Sequence, residues 1–377
     1  MTEHHISAGF MPLMDCLVLA VAREKGFAAA EDVDLTLVRE ISWANIRDRI
    51  AVGHFDVAHM LAPMPVAAAL GLNPIPASVI APFALGLNGN AITVSTALWR
   101  RMADAGAPND LDAAGVGAAL AKVVKTEGRG LRFAVVHHHS AQNYELRYWL
   151  AACDVHPDRD VEIVVVPPPL MTDALKAGAI DGHCVAEPWG SASVLAGAGR
   201  IATTKSKIWK GSPEKMLGVS ERWANANPQA LAALMRACHA AAAWCGDAAN
   251  HAEAAAILAL PHYLNLPLEI TVRGVSGHIE VAPGRFVQVD DYFIPHAQDA
   301  AYPRPAQALW FYSQMVRWGD VAHSPDHAVR AAACYRPDLF QAALPDAVPP
   351  SSQPLQRFFD GGTFDPAKLE EYLASQA

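Results

Sequence analysis

The sequence lacks several features that mark common protein classes. None of its six cysteines forms a CxxC pair, which argues against a zinc ribbon or a thioredoxin-type motif. No HExxH, GxSxG or GxxxxGK[ST] motif is present, so the enzyme classes that those motifs identify have no support. No apolar run reaches the roughly 18 residues that a membrane-spanning helix needs. We therefore expect neither a membrane span nor one of these motif-bearing enzymes.

Basic residues are also in deficit. Lys and Arg number 29 against 38 Asp and Glu, giving a net charge of -9. General nucleic-acid binders carry a basic surplus, so the composition predicts no direct contact with nucleic acid. A small anionic ligand stays open, because a local site can outweigh a modest global charge. With 377 residues, of which 52% are hydrophobic and 18% charged, the chain is predicted to form two or three domains with large cores.

The amino-terminal stretch has no basic segment ahead of an apolar one. The apolar residues 9–22 are interrupted by Asp15 and lead into Arg23-Glu-Lys, a pattern that predicts a strand, a loop and a helix start rather than a signal peptide. The scattered cysteines are typical of buried thiols in a reducing compartment. Together these features predict a cytoplasmic protein. The alternative is a chain from which an export signal has been removed.

Strand-like and helix-like segments alternate along much of the chain. Residues 33–38 alternate as a strand, Ser42 is a candidate N-cap for the helix that follows, and residues 132–136 form a buried strand ahead of a helix at residues 142–152. Such repeated alternation predicts an α/β fold with largely parallel sheets.

Polar and aromatic side chains occur where strands pass into helices. These include Trp43, His59, Gln142 and the segment 183–189. Ligand sites of α/β proteins form at the carboxyl ends of strands. A planar anion such as nitrate has three acceptor oxygens and no donor, so its site needs several donors and can use an aromatic wall. Gln142, His59 and His278 can donate, and Trp43 can supply a wall or an indole N–H. The alternative is that Trp43 and Trp189 are core residues.

The remaining reactive residue types do not form a catalytic or metal-binding pattern. His137, His138 and His139 are consecutive, and neighbours on an extended chain point to opposite faces, so they do not suit one metal site. Cys184 and His183 are likewise neighbours on a predicted strand and face apart, so Cys184 is expected to be a structural thiol rather than a nucleophile. A single carboxylate, Glu187, does not make an acid/base pair. We expect no catalytic residue, no metal and no cofactor.

Two blocks of sequence carry a family resemblance. The first contains Gly9-Phe-Met-Pro-Leu-Met-Asp, Ser42-Trp-Ala-Asn-Ile-Arg-Asp and Ala62-Pro-Met-Pro; the second contains Gln142-Asn-Tyr-Glu-Leu-Arg-Tyr-Trp and Asp181-Gly-His-Cys-Val-Ala-Glu-Pro-Trp. In this order they resemble the nitrate- and bicarbonate-binding proteins of ABC transporters, over most of the chain and more weakly after about residue 260. The resemblance implies a two-lobed type II periplasmic-binding-protein fold with a ligand cleft between the lobes. The lobe boundaries predicted with it are residues 1–92 plus 198–377 for lobe I and residues 93–197 for lobe II.

The resemblance also implies positions for the ligand. Gln142 matches a nitrate-contacting Gln, and His59 precedes the place of a wall aromatic that this chain lacks. His183 and Cys184 fall in the segment that lines the cleft. His278 falls about where nitrate transporters carry a Lys, so nitrate affinity is expected to rise below pH ~6.5. With Trp43, these residues form the predicted ligand site.

The absence of an amino-terminal signal makes the chain similar to the NasS-type branch of cytoplasmic nitrate/nitrite sensors. In that branch, the resemblance implies, the ligand-free protein sequesters an ANTAR-domain RNA-binding antiterminator of the NasT type and releases it when nitrate or nitrite binds. The predicted function is therefore a sensor that regulates nitrate assimilation.

Three alternatives remain open. The first is the substrate-binding component of a nitrate or related anion ABC transporter. The second is a sensor of bicarbonate or a sulfonate, and for bicarbonate Glu280 is the candidate metal-binding carboxylate near the ligand. The third is an enzyme similar to the pyrimidine synthases of thiamine biosynthesis, whose Cys-rich iron motif this sequence does not show.

Overall fold

Two five-stranded sheets, one in each lobe, organise the chain. The computed structural model describes residues 4–127, 130–347, 349–350 and 355–376; residues 1–3 of the predicted amino-terminal start lie outside them. The strands in chain order are β1 His4–Phe10, β2 Val33–Arg39, β3 Val57–Leu61, β4 Val79–Ala84, β5 Leu87–Asn88, β6 Asn90–Ser95, β7 Leu131–Val135, β8 Val161–Val165, β9 Gly182–Ala186, β10 Gly199–Thr204, β11 Lys215–Ser220, β12 His278–Ala282, β13 Arg285–Gln288, β14 Phe293–Ile294, β15 Gln356–Arg357 and β16 Thr363–Phe364.

The helices follow most of these strands and cover the sheets. In chain order they are α1 Leu17–Glu24, α2 Phe27–Ala30, α3 Trp43–Ala51, α4 Pro63–Ala69, α5 Thr96–Asp104, α6 Ala113–Glu127, α7 Ala141–Ala152, α8 Met171–Lys176, α9 Trp189–Leu195, α10 Lys205–Ile208, α11 Glu221–Ala226, α12 Pro228–Cys245, α13 His251–Ala259, α14 Leu268–Ser276, α15 Pro305–Arg317, α16 Pro325–Ala333, α17 Pro337–Ala343 and α18 Leu369–Ser375. Short 3₁₀ turns include Met14–Cys16, just ahead of α1. Within the described residues, no helix is both long and apolar enough to cross a bilayer.

The sheet of lobe I has the strand order β2-β1-β3-β11-β4, and that of lobe II the order β10-β6-β9-β7-β8. In lobe I, β1 pairs in parallel with β2 and β3, whereas β11 is antiparallel to both β3 and β4. In lobe II, β7 is parallel to β8 and β9, whereas β6 is antiparallel to β9 and β10. The α/β class predicted from the sequence is confirmed, but the expectation of largely parallel sheets is wrong, because β11 in one sheet and β6 in the other run against both of their neighbours.

The chain crosses from lobe I to lobe II between β4 and β6 and returns between β10 and β11. The predicted boundary at residues 92/93 falls inside β6, and the one at residues 197/198 leaves β10 outside lobe II. The second boundary is placed too early, because residues 199–204 pair with β6 as an edge strand of lobe II. The strand register therefore assigns β10 to lobe II.

Among the described residues, four large hydrophobic clusters and a small one of Leu87, Ile294 and Ala300 form the core. One packs the lobe I sheet against α1, α12 and α13, and another packs the lobe II sheet against α6 and α7. A third is rich in aromatic residues and joins α15 to Trp209 and Phe358. The fourth contains residues from both lobes, among them Trp43 and Met60 from lobe I and Val185 and Trp189 from lobe II. This shared cluster lies at the carboxyl ends of strands from both sheets, where the site was expected.

Candidate functional site

Three helix starts bring side chains to the region between the lobes. Trp43 opens α3 after β2, and the Ser42 hydroxyl caps that helix by accepting a hydrogen bond of 3.2 Å from the Asn45 backbone N–H. Gln142 lies in the first turn of α7 after β7 and its loop. Trp189 opens α9 after β9. Ser42 and Ser140 are short polar N-caps of α3 and α7, and such caps are a local signal that the sequence shows directly, whereas α9 begins after Pro188 without a side-chain cap.

Two buried tryptophans, one from each lobe, belong to the shared hydrophobic cluster. Trp43 is 1% exposed and Trp189 is 9% exposed. Neither indole Nε1–H has a hydrogen-bond partner among the described residues. An indole N–H can only donate, and a buried donor without a partner costs roughly 1–3 kcal/mol. We call Trp43, Trp189 and the residues of their cluster the aromatic junction; it contains two unused donors.

His59 borders this junction but has both ring nitrogens in contact with neighbours. Its Nδ1 accepts a 3.4 Å hydrogen bond from the Met11 N–H, and its Nε2 lies 2.9 Å from Asp15 Oδ1. Its ring centroid lies 5.5 Å from that of Trp43. Complete burial lowers the pKa of His59 despite the nearby Asp15 carboxylate. The neutral imidazole therefore lies between Trp43 and Asp15, and its Nε2 faces the Asp15 carboxylate, although that contact does not have hydrogen-bond geometry.

A buried network of charged and polar residues lies beside the junction, where the chain crosses between the lobes. Its centre is Glu214, whose Oε2 accepts from Lys205 Nζ and Asn90 Nδ2, each at 2.5 Å. Its Oε1 accepts from Lys215 Nζ at 2.5 Å and from Gln142 Nε2 at 2.6 Å. Lys205, Asn90 and Gln142 belong to lobe II, whereas Glu214 and Lys215 begin the return into lobe I. One carboxylate thus connects both crossings.

The network ends in two further carboxylates with different environments. Lys215 Nζ donates to Asp15 Oδ2 at 2.7 Å, and Lys205 Nζ lies 3.1 Å from Glu145 Oε1. Burial alone would raise the pKa of Asp15, but Lys215 and His59 lower it to about 2. Burial raises the pKa of Glu145 to about 7, with Lys205 opposing the shift. We call this set the crossing network; none of its members is more than 2% exposed: Asp15, Asn90, Gln142, Glu145, Lys205, Ser212, Glu214 and Lys215.

Gln142 therefore belongs to the crossing network. Its amide N–H donates to Glu214 and makes a longer 3.4 Å contact with Asn90 Oδ1, while its Oε1 has no partner among the described residues. The donor that the sequence assigned to nitrate is engaged by a carboxylate in this structure.

His183 and Cys184 point to opposite faces of the lobe II sheet, as neighbours on a strand must. Cys184 is on the side of Glu145 and Glu214, and burial together with those carboxylates raises its pKa well above the ordinary value. His183 Nε2 lies 3.1 Å from Ser193 Oγ, and burial lowers the pKa of His183 to about 3. Its Nδ1 has no partner in the described part of the chain. The two predicted ligand residues do not line one surface.

His278 lies apart from the other predicted residues. It begins β12 at the surface, and its ring stacks on Phe286 of the same hairpin, with centroids 5.1 Å apart and planes 10° from parallel. The hairpin turns His278 to solvent and away from the aromatic junction, so the structure does not bring it together with the other predicted ligand residues. The family resemblance is weaker after about residue 260, where this position lies.

Glu280, the carboxylate considered as a metal ligand for bicarbonate binding, already has two partners within the protein. Its Oε2 lies 2.7 Å from Arg273 Nη2 and its Oε1 accepts the Gly284 N–H at 2.7 Å. Among the described residues, no group of three or more His, Cys, Asp or Glu is arranged to hold a metal ion.

The sequence did not predict most of the crossing network. Lys205, Glu214 and Lys215 meet Asp15 and Glu145 across separations of up to 200 residues. One signal was present: Asp15 interrupts the apolar residues 9–22, and a lone carboxylate there requires a buried partner.

Known proteins resemble the chain closely along most of its length. Residues 2–259 match the model of the NMT1-like family. The nitrate/nitrite binding protein NrtA of Synechococcus elongatus is 31% identical over 385 residues, which cover 98% of this chain and 85% of that protein. The crystal structure of the periplasmic nitrate-binding protein NrtA from Synechocystis PCC 6803 superposes with a TM-score of 0.90 at 30% identity, covering 100% of this chain and 99% of the other.

Two ATP-binding proteins of Synechocystis sp. match over a part of their length. The nitrate import ATP-binding protein NrtC is 35% identical over 344 residues, and the bicarbonate transport ATP-binding protein CmpC is 37% identical over 321 residues. These matches cover 90% and 84% of this chain but 50% and 46% of the relatives. The chain thus spans about half the length of these two relatives.

Proposed function

The chain belongs to the NMT1-like family, and we propose that it binds nitrate or nitrite between its two lobes as a substrate-binding protein of an anion ABC transporter. The proposal takes the ligand from the relatives named NrtA, which are nitrate- or nitrate/nitrite-binding proteins and match the chain over nearly its whole length. These NrtA relatives are binding proteins and not enzymes, in agreement with the expectation from the sequence.

The single observation that carries the proposal is the pair of unused indole donors in the aromatic junction. Trp43 comes from lobe I and Trp189 from lobe II, and both are buried in one cluster. Nitrate offers only acceptors and presents a flat face, so it suits two indole N–H groups and their rings. An anion that accepts from both indoles connects the two lobes.

Lobe closure follows from this arrangement. A ligand shifts an equilibrium between open and closed forms only by its difference in affinity for the two. An anion held by donors from both lobes loses one set of contacts when they separate. Nitrate binding is therefore expected to favour the closed form.

The test is a calorimetric titration of the native protein and two variants with nitrate, nitrite and bicarbonate. Trp43→Phe and Trp189→Phe keep the aromatic wall and remove one N–H each. A matched control is Trp223→Phe on α11, whose half-buried ring lies outside the junction. We expect nitrate or nitrite to bind the native protein and the control with equal affinity and both junction variants more weakly. Absence of binding by both anions at millimolar concentration would contradict the proposal.

The protein partner separates this function from the sensor predicted from the sequence. The sensor prediction requires an ANTAR-domain antiterminator and a cytoplasmic location, whereas the transport proposal requires permease components. Affinity purification of the native protein, with and without nitrate, distinguishes them. Nitrate-dependent release of an RNA-binding antiterminator would favour the sensor, and recovery of transporter subunits would favour transport. Cell fractionation tests the cytoplasmic location independently.

A further inference from the structure

A cavity lies between the lobes, apart from the aromatic junction and the crossing network. Its volume is about 630 Å³, which falls in the range of small-molecule sites. The carboxyl-terminal part of α7 and the loop after it supply one wall, with Ala151, Val155 and His156. The end of α15 and helix α18 supply the other, with Arg317, Trp318 and Leu373. One wall thus belongs to lobe II and the other to the carboxyl-terminal part of lobe I.

Arg317 is the unusual residue of this cavity. It is partly buried, yet within the described residues it forms no ion pair and no hydrogen bond; its contacts are with aromatic rings. Its guanidinium lies 4.6 Å from the centroid of the Trp318 ring and 5.9 Å from that of Tyr148. Desolvation lowers the pKa of Arg317 from its ordinary value. A guanidinium held between rings without a carboxylate partner is a fixed, planar donor.

The described carboxylates around this cavity form no ion pair with Arg317. Asp360 accepts hydrogen bonds of 3.0 and 3.1 Å from the Tyr148 hydroxyl. Asp160 pairs with Arg159 at 2.9 Å. Asp154 lines the cavity but is exposed. Asp360 still attracts the Arg317 guanidinium and raises its pKa against the effect of burial, but no carboxylate of the described residues forms an ion pair with it.

Trp318 adds a second unused donor. Its Nε1 is buried and has no hydrogen-bond partner among the described residues. The rest of the lining includes aliphatic groups, such as Val155, Val316 and Leu373. The cavity therefore combines a planar cation, the Trp318 ring and an apolar wall.

We propose that this cavity binds a small organic monocarboxylate with an apolar body, whose carboxylate pairs with Arg317. A carboxylate matches the planar fork of one guanidinium through two parallel hydrogen bonds. The apolar body lies against the aliphatic lining. Because the walls come from different lobes, a bound carboxylate bridges them and favours the arrangement in which they meet.

The experiment uses benzoate and hexanoate as probes and benzamide as the neutral analogue of benzoate, titrated into the full chain by calorimetry. At least one carboxylate is expected to saturate, and benzamide is expected to bind at least tenfold more weakly than benzoate. Arg317→Gln should weaken carboxylate binding at least tenfold. Arg159→Gln, at the rim, should change it less than twofold because that guanidinium is already paired. Failure of both carboxylates to saturate at millimolar concentration overturns the proposal, and so does an unchanged affinity in Arg317→Gln.

A second pair of variants tests the wall of the opposite lobe. Ala151→Phe fills the cavity from α7 and should abolish carboxylate binding, whereas Ala152→Phe places the same ring at the adjacent, exposed position and should not. Equal binding by the two variants contradicts the assigned position. Trp43→Phe should leave carboxylate affinity unchanged. Loss of nitrate binding at the aromatic junction can therefore be distinguished from loss of carboxylate binding in this cavity.

Discussion

Two buried regions connect the lobes, and they differ in how their polar atoms are satisfied. In the crossing network, Glu214 receives hydrogen bonds from four side chains, so its charge is compensated within the protein. In the aromatic junction, two indole N–H groups have no partner in the described structure. A compensated network stabilises one arrangement of the chain, whereas unused donors are available to a ligand. We propose that the unused donors, more than burial itself, mark the candidate ligand site.

The largest effect should come from breaking the crossing network. Glu214→Ala removes the acceptor for two lysines and two amides, and leaving buried charges uncompensated costs about 3–5 kcal/mol. Chemical denaturation should show this loss in the free energy of unfolding. Glu162→Ala, which breaks the exposed pair with Arg132, is the control and should cost at most about 1 kcal/mol. If both variants lose the same free energy of unfolding, the crossing network stabilises the fold no more than an exposed ion pair does.

The aromatic junction should show the opposite behaviour. Trp43→Phe and Trp189→Phe remove donors that the protein itself does not use, so the free energy of unfolding should change by less than about 1 kcal/mol. Each lost hydrogen bond to an anion is worth about 1.5–3 kcal/mol, so nitrate affinity should fall roughly 10- to 100-fold. Calorimetry and denaturation on the same samples measure both quantities. A large loss of stability with unchanged nitrate affinity would assign these tryptophans to the core.

The pH dependence of stability sharpens the description of the network. Burial raises the pKa of Glu145 from 4.5 to about 7, so between these values the folded protein holds a proton that the unfolded chain has released. The stabilisation is complete below pH 4.5 and is lost as the pH rises through about 7. Glu145→Gln removes this dependence. The free energy of unfolding of Glu145→Gln, relative to that of the native protein, should therefore rise by on the order of 1–3 kcal/mol as the pH increases from 4.5 to about 7. A difference that is flat with pH contradicts the assignment.

The smallest effect is expected at His278, which belongs to neither region. The residue is exposed and stacked on Phe286, so His278→Ala should change nitrate affinity less than twofold at both pH ~6 and pH ~8. Titration at the two pH values checks this. A tenfold loss at pH ~6 alone would restore the titratable ligand that the sequence suggested.

Local patterns explain what the sequence could predict. Ser42 caps α3 as its side chain and position indicated. Trp43 and the segment ending at Trp189 were placed correctly at strand-to-helix junctions, because a strand, a cap and a helix start are recognisable within a few residues.

The features that the sequence missed depend on distant partners. Nothing near Glu214 or Lys205 indicates that they meet Glu145 or Asn90, since those contacts require both crossings to be folded. Gln142 was correctly placed between the lobes, but its donor is held by Glu214, 72 residues away. β10 was overlooked because its pairing with β6 is set by lobe II as a whole.

The most direct test of the account follows the indole N–H groups themselves. In the protein labelled with ¹⁵N at its nine tryptophans, each indole gives one NMR signal, and single Trp→Phe variants assign them. On addition of nitrate, the signals of Trp43 and Trp189 should shift together and saturate. The signal of Trp149, whose N–H donates to the Ala113 carbonyl at 2.8 Å, should stay in place. Saturable nitrate binding that leaves the Trp43 and Trp189 signals unmoved would contradict the claim that these two donors form the anion site.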